Sequence, residues 1–177
     1  MKQLALIFTM CLLLTGCQSV PPLNFSVESV QPSTNKIDAE LKSITVSVAT
    51  PAEKTGDIPQ DIQIFNVPTL WKDSIEEALN RKTIFIDDAE KKVNLSVKIL
   101  AMDIPSFGAE FKTIVTAKYD IIDRKSGEVL VNKTIQSEGI VPFDYAFLGA
   151  VRHQESINRA VKNNIMQFLT YLDSVKI

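Results

Sequence analysis

The sequence is poor in the residues on which most small-protein chemistry is built. Its 177 residues include two cysteines, Cys11 and Cys17, both within the first seventeen positions. From Gln18 onward no thiol is present for a disulfide, a metal or a nucleophile. His153 is the only histidine, so no histidine-based metal site of ordinary composition can form. A Ser-His-Asp arrangement would have to use it, yet no serine in a strand-to-helix elbow sequence lies nearby, and it reads as a surface or capping residue. The six glycines are scattered and form no phosphate loop. Neither sign of charge dominates, with 19 basic residues against 21 acidic. There is no basic cluster of the kind nucleic-acid binding needs, and no basic stripe to press the protein onto anionic lipid. Long apolar runs are missing too, and none approaches the roughly 20 residues of a membrane-spanning helix.

What is present begins at the amino terminus. Lys2 precedes an apolar run from Leu4 to Leu14, followed by Leu14-Thr15-Gly16-Cys17. One early cation, a short hydrophobic stretch and small residues before a cleavage point make a secretory signal. The tetrapeptide resembles the lipobox of bacterial lipoproteins, in which the signal is cut before the cysteine and the cysteine is acylated. The resemblance implies that residues 1–16 are removed, taking Cys11 with them, and that Cys17 carries the lipid. Each buried acyl CH₂ contributes about 0.8 kcal/mol and stable anchoring takes more than one chain, so the three chains implied would make attachment nearly permanent. Gln18 follows the cysteine where an Asp favours inner-membrane retention in enterobacterial lipoproteins, which implies an outer-membrane location facing the periplasm of a Gram-negative bacterium.

Residues 17–42 read as the lipidated cysteine and a flexible tether. Pro21, Pro22 and Pro32 sit among Ser, Thr, Asn and Gln without sustained periodicity. A chain of about 25 such residues has an r.m.s. span of roughly 25–30 Å and extends to about 80 Å, enough to hold a domain clear of the membrane. A short strand near Phe25 to Val30 that packs on the domain is the alternative. Residues 43–177 form one domain large enough for its own core.

Within the domain, Ile44, Val46 and Val48 alternate with Ser and Thr, the pattern of a strand with one buried face. A loop from Ala52 to Asn66 embeds Ile58, Ile62, Ile64 and Phe65. Pro68 suits a first helical turn, and Trp71, Ile75, Ala78 and Leu79 share one helical face. Thr83 to Ile86 reads as a short strand. Val93 to Leu100, Phe111 to Ile121 and Val129 to Ile140 alternate as longer strands, with Val129, Val131 and Ile135 inward and a polar turn from Asp123 to Glu128. Polar residues on the opposite faces leave one side of the sheet solvated. Ile157, Ala160, Val161, Ile165, Phe168, Leu169 and Leu172 define a last helix from Glu155 to about Ser174. The expectation is an α+β two-layer sandwich of order β-α-β-β-β-β-α, its mostly antiparallel sheet carrying two helices on one face.

That order behind a lipobox resembles the small periplasmic lipoproteins whose domain is similar to the N-terminal domain of TolB. The residues carrying the likeness are Pro68 to Ile75, Tyr119 to Asp123, and Gly149 to Asn164. Auxiliary lipoproteins of ABC-type lipid transport systems have a related arrangement. The segment after Cys17, Gln18-Ser19-Val20-Pro21-Pro22, is unlike the ordered start of the lipopolysaccharide-export lipoprotein, and the chain is too short for the extra strands of a curli-type pore.

Few other constellations invite chemistry. Ser33-Thr34-Asn35-Lys36 matches Ser-x-x-Lys without its companion motifs. Asp87-Asp88, and Asp57 with Asp61, lack the ligand spacing of a calcium loop and read as solvated turns. Candidates for partner contact are Phe143, Tyr145, Phe147 and Leu148, which crowd one loop between Pro142 and Gly149, since aromatics dominate interface hot spots. Their other reading is as a lock of the last helix against the sheet. An unpaired strand edge or the open sheet face is the second candidate surface. These readings lead to a non-enzymatic, outer-membrane-anchored lipoprotein that needs no cofactor or metal. Its partners would be the membrane, through Cys17, and another envelope protein whose assembly, transport or regulation it assists. The alternatives are a carrier of an acyl ligand and, more weakly, an envelope hydrolase.

Overall fold

Period-two alternation in the middle of the chain builds the sheet, and helical period at positions 71–79 and 157–172 builds the layer that covers it. A computed structural model describes residues 20–62 and 66–177. The signal with Leu14 to Cys17, Gln18, and Ile64 and Phe65 of the first loop lie outside those residues. The elements are β1 (Glu40–Val48), α1 (Val67–Lys82), β2 (Lys92–Asp103), β3 (Phe111–Asp123), β4 (Val129–Val141) and α2 (Gly149–Leu172). The sheet runs in the order β1-β2-β3-β4, with β1 parallel to β2 and the other pairs antiparallel. This is the expected two-layer α+β arrangement, with one strand fewer. Thr83 to Ile86 forms only a bridge, Ile37 opposite Phe85, because Ile84 drops into the core directly after α1 and a turn with Asp88 at φ 60° ends the run.

The inner face of the sheet is apolar on every strand. Ile44, Val93, Leu95, Val97, Ile99, Val115, Ala117, Tyr119, Ile121, Val131 and Ile135 are buried in one core with Trp71, Ile75 and Leu79 of α1 and Val161, Ile165, Phe168 and Leu172 of α2. Thr45 and Ser47 on the other face are exposed, and the strand residues between the inward positions of β2 and β3 are largely polar, so that face is solvated. Val129, expected inward, is exposed. A register shift between Ile121 and Ile122 sets it opposite Ile122 instead of continuing the inward row.

Buried polar groups fix how α2 sits on the sheet. The Tyr119 ring stacks on Phe168 with centroids 4.1 Å apart, and its hydroxyl donates to Asn164 Oδ1 at 2.8 Å. Asn164 Nδ2 in turn donates to the Ile135 carbonyl at 3.1 Å and to Ser137 Oγ at 2.9 Å, while Ser137 donates to the Ala160 carbonyl at 2.8 Å. Satisfied groups of this kind favour one packing arrangement over its neighbours. Burial pushes the Tyr119 phenol pKa up, so the hydroxyl remains a donor at all ordinary pH.

The tether expected over residues 17–42 needs correction. From Leu23 onward the chain packs along the helices, with Phe25, Val27, Ile37 and Ala39 in the core. Phe25 is 1% exposed and meets Trp71 edge-on at 6.5 Å. Polar contacts follow in sequence: Asn24 N–H to Asn158 Oδ1 at 2.9 Å, Ser26 Oγ to Glu77 at 2.7 Å, Arg81 to the Val27 carbonyl at 3.1 Å, and Ser33 Oγ to Asp173 at 2.8 Å. β1 accordingly starts at Glu40, ahead of the expected Ser43. The segment has neither helical nor strand period, because it is an irregular strap whose few apolar residues join the core without a regular repeat.

Candidate functional site

The β2–β3 loop and the β4–α2 loop meet at one end of the molecule, where Phe111 at the start of β3 pairs with Val141 at the end of β4. Four aromatic side chains project there. Phe107 is 87% exposed, Phe147 89%, Phe143 62% and Tyr145 48%, while Leu148 is half-buried at the start of α2. The structure therefore brings the four expected contact residues together and adds Phe107. The only sequence signal for Phe107 is a large apolar residue inside a Pro-to-Gly turn, with no periodic partner.

Arginines from α2 hold the loop from beneath. The buried Arg152 donates through Nη1 to the carbonyls of Ala146 and Phe147, the latter at 3.1 Å. Its guanidinium lies 4.8 Å from the Phe143 ring centre and 5.7 Å from that of Phe111. Arg159 lies 4.9 Å from the Tyr145 ring centre, donates to the Ile140 carbonyl at 2.8 Å and pairs with Glu155. A cation in the first turn of a helix opposes the helix dipole, so Arg152 is held there by its loop contacts. Phe143 and Tyr145 rest on arginines of α2, and Phe147 is almost fully exposed.

His153 packs edge-on against Phe111 with ring centres 5.6 Å apart. Burial holds its imidazole pKa below 6.5, with the charge of Asp61 acting in the opposite direction. It borders an apolar crevice of about 250 Å³ lined by Leu23, Ile62, Val67, Met102 and Ile157. Asp57 and Asp61 lie toward this end, beside Met102 and in the crevice wall. Asp87 and Asp88 lie toward the other, in the turn between α1 and β2. Among the described residues no group of three or more His, Cys, Asp or Glu could hold a metal ion. Ser33 and Lys36 are engaged structurally, by Asp173 and by Thr83.

The two sheet edges differ. Along β4, Arg159 covers the Ile140 carbonyl, and Asn163 donates to the Glu138 carbonyl at 2.8 Å. Just ahead of β1, Ile37 and Ala39 are bridged by residues 84–86. Among the described residues, nothing bonds the outer main-chain edge from Lys42 to Val48.

No family model matches the sequence, and no curated protein matches it. Solved structures do. The chain is similar to protein XCC0632 from Xanthomonas campestris, of family DUF330, with a TM-score of 0.59 and 8% identity over 84% of this chain and 93% of that one. A PelC dodecamer from Paraburkholderia phytofirmans gives 0.46 and 13% identity over 82% and 94%. A minor lipoprotein from Acinetobacter baumannii gives 0.41 and 12% over 75% and 91%. The likeness to the Xanthomonas protein is one of fold. An identity of 8% speaks for architecture and not for activity.

Proposed function

We propose that this chain is an outer-membrane lipoprotein facing the periplasm, whose domain binds another envelope protein without catalysis and assists its assembly, transport or regulation. The signal and the Leu14–Cys17 tetrapeptide support the anchorage. The observation that carries the binding role is the asymmetry of the sheet edges. Unpaired strand edges invite pairing, and proteins ordinarily protect them. Here Arg159 and Asn163 cover the last part of β4, at Glu138 and Ile140, while the whole run from Lys42 to Val48 of β1 offers main chain that no described residue bonds, beside exposed Thr45 and Ser47. A partner segment adding there would gain main-chain hydrogen bonds, with side chains setting selectivity. An acyl-carrier role ranks second, because the apolar crevice of about 250 Å³ falls short of the roughly 300–1,000 Å³ of ligand pockets.

Photo-crosslinking in intact cells tests the reading. A crosslinking residue at Thr45 or Ser47 is expected to capture a discrete envelope protein, whereas one at Glu138, whose carbonyl Asn163 already covers, is not. Absence of adducts at both β1 positions, in protein that is made and membrane-bound, would remove the edge as the contact.

A further inference from the structure

The aromatic end is also the end at which the chain enters the domain. The Pro21 carbonyl accepts a hydrogen bond from Gln154, one turn into α2, and Leu23 lines the crevice beside His153. Pro21 follows Cys17 by four positions, a distance of at most about 14 Å. With the tether reduced to those few residues, an acylated Cys17 cannot lie far from Phe107, Phe143 and Phe147.

We infer that the exposed aromatic crown of Phe107, Phe143, Tyr145 and Phe147 seats in the lipid leaflet that holds the acyl chains of Cys17, fixing the orientation of the domain on the membrane. The inference rests on the proposed lipid anchor and adds the crown's occupant. Tyrosine favours the membrane interface, where an apolar ring and a polar tip are both accommodated, and phenylalanine rings gain by burial at the headgroup–acyl boundary. The crown supplies three phenylalanines and one tyrosine on two adjacent loops, and Arg152 pre-sets the larger loop from a buried position. Tethering makes the contact intramolecular in effect, so each ring need contribute only a little. Asp103, Glu110 and Asp144 are exposed near the same loops. Attraction to anionic headgroups is therefore not the driving force, and insertion should not require anionic lipid.

The orientation has a consequence for the proposed binding role. With the crown down, β1 runs from the far end toward the membrane, and the hairpin turn at Asp123 to Glu128 points into the periplasm.

Trp71, the only tryptophan, is fully buried, so an added tryptophan reports separately. Full-length protein isolated from envelope membranes would be reconstituted into phosphatidylcholine vesicles, with or without bromine on the acyl chains. Phe147→Trp and Phe107→Trp are expected to show blue-shifted emission that brominated lipid quenches. Lys125→Trp, at the opposite end, should keep the emission of a water-exposed indole. Both substituted phenylalanines are almost fully exposed, so melting temperature should be unchanged and serves as the folding control. The intact mass reads acylation in the same samples. Acylated Phe107→Trp and Phe147→Trp proteins whose added emission ignores brominated lipid would overturn the crown's placement and leave the anchor standing. Protein without acyl mass would overturn the anchor reading and, with it, this inference.

Discussion

At the scale of single residues, the charged pair at the far end of the helices offers an asymmetric test. Lys82 is buried and donates to Asp173 at 2.9 Å, while Asp173 is partly exposed and also accepts from Ser33. Burial pulls the Asp173 pKa up, but the hydrogen bonds from Lys82 and Ser33 and the lysine charge outweigh it and leave it below 3.8. Removing the carboxylate strands a buried ammonium, whereas removing the ammonium leaves a carboxylate that water can reach. Asp173→Asn should therefore destabilise by about 1–3 kcal/mol and Lys82→Met by less, read as denaturant midpoints. His153 gives a pH test. Its folded pKa lies below 6.5, so the unfolded chain takes up the proton first, and stability falls as pH drops through the ordinary histidine range. Between about pH 7.5 and 5.5 the melting temperature of the wild type should fall further than that of His153→Gln.

At the scale of elements, Gly139 sets the distance between β4 and α2. A Cβ at this position would meet the Ser156 carbonyl oxygen at 2.1 Å and the Ala160 nitrogen at 2.4 Å. Both are backbone atoms and cannot swing aside. Gly139→Ala should cost about 3 kcal/mol or leave the chain unfolded, measured by thermal melting. The long strands were legible because alternation over many residues has no competing explanation. Element ends were less so. α2 begins at Gly149 and not Glu155, since its first turn has no side-chain cap at Leu148 and no apolar stripe to announce it. Phe143, Tyr145 and Phe147 stood out because no period absorbed them. Arg152 did not, because a lone arginine before a helical stripe gives no sign that it will be buried under a loop.

At the scale of the whole molecule, the strap decides what counts as the domain. Residues 43–177, the domain bounded by sequence, omit Phe25, Val27, Ile37 and Ala39 from a core that needs them. A fragment of those residues should melt well below one starting at Val20, and Phe25→Ala in the longer chain should cost about 3–5 kcal/mol. Both comparisons are direct calorimetric measurements. Short irregular segments escape sequence reading because their apolar residues reach the core without any repeat along the chain.

The strap also bears on mechanics. It enters beside Gln154, runs along the helices and reaches Asp173 before β1 turns back. Tension applied through the amino-terminal end is directed along this path, so the contacts at Asn24, Phe25, Ser26 and Ser33 are loaded in shear and share the force. They do not peel one at a time. Force applied at that end is thus borne by the folded core as a whole.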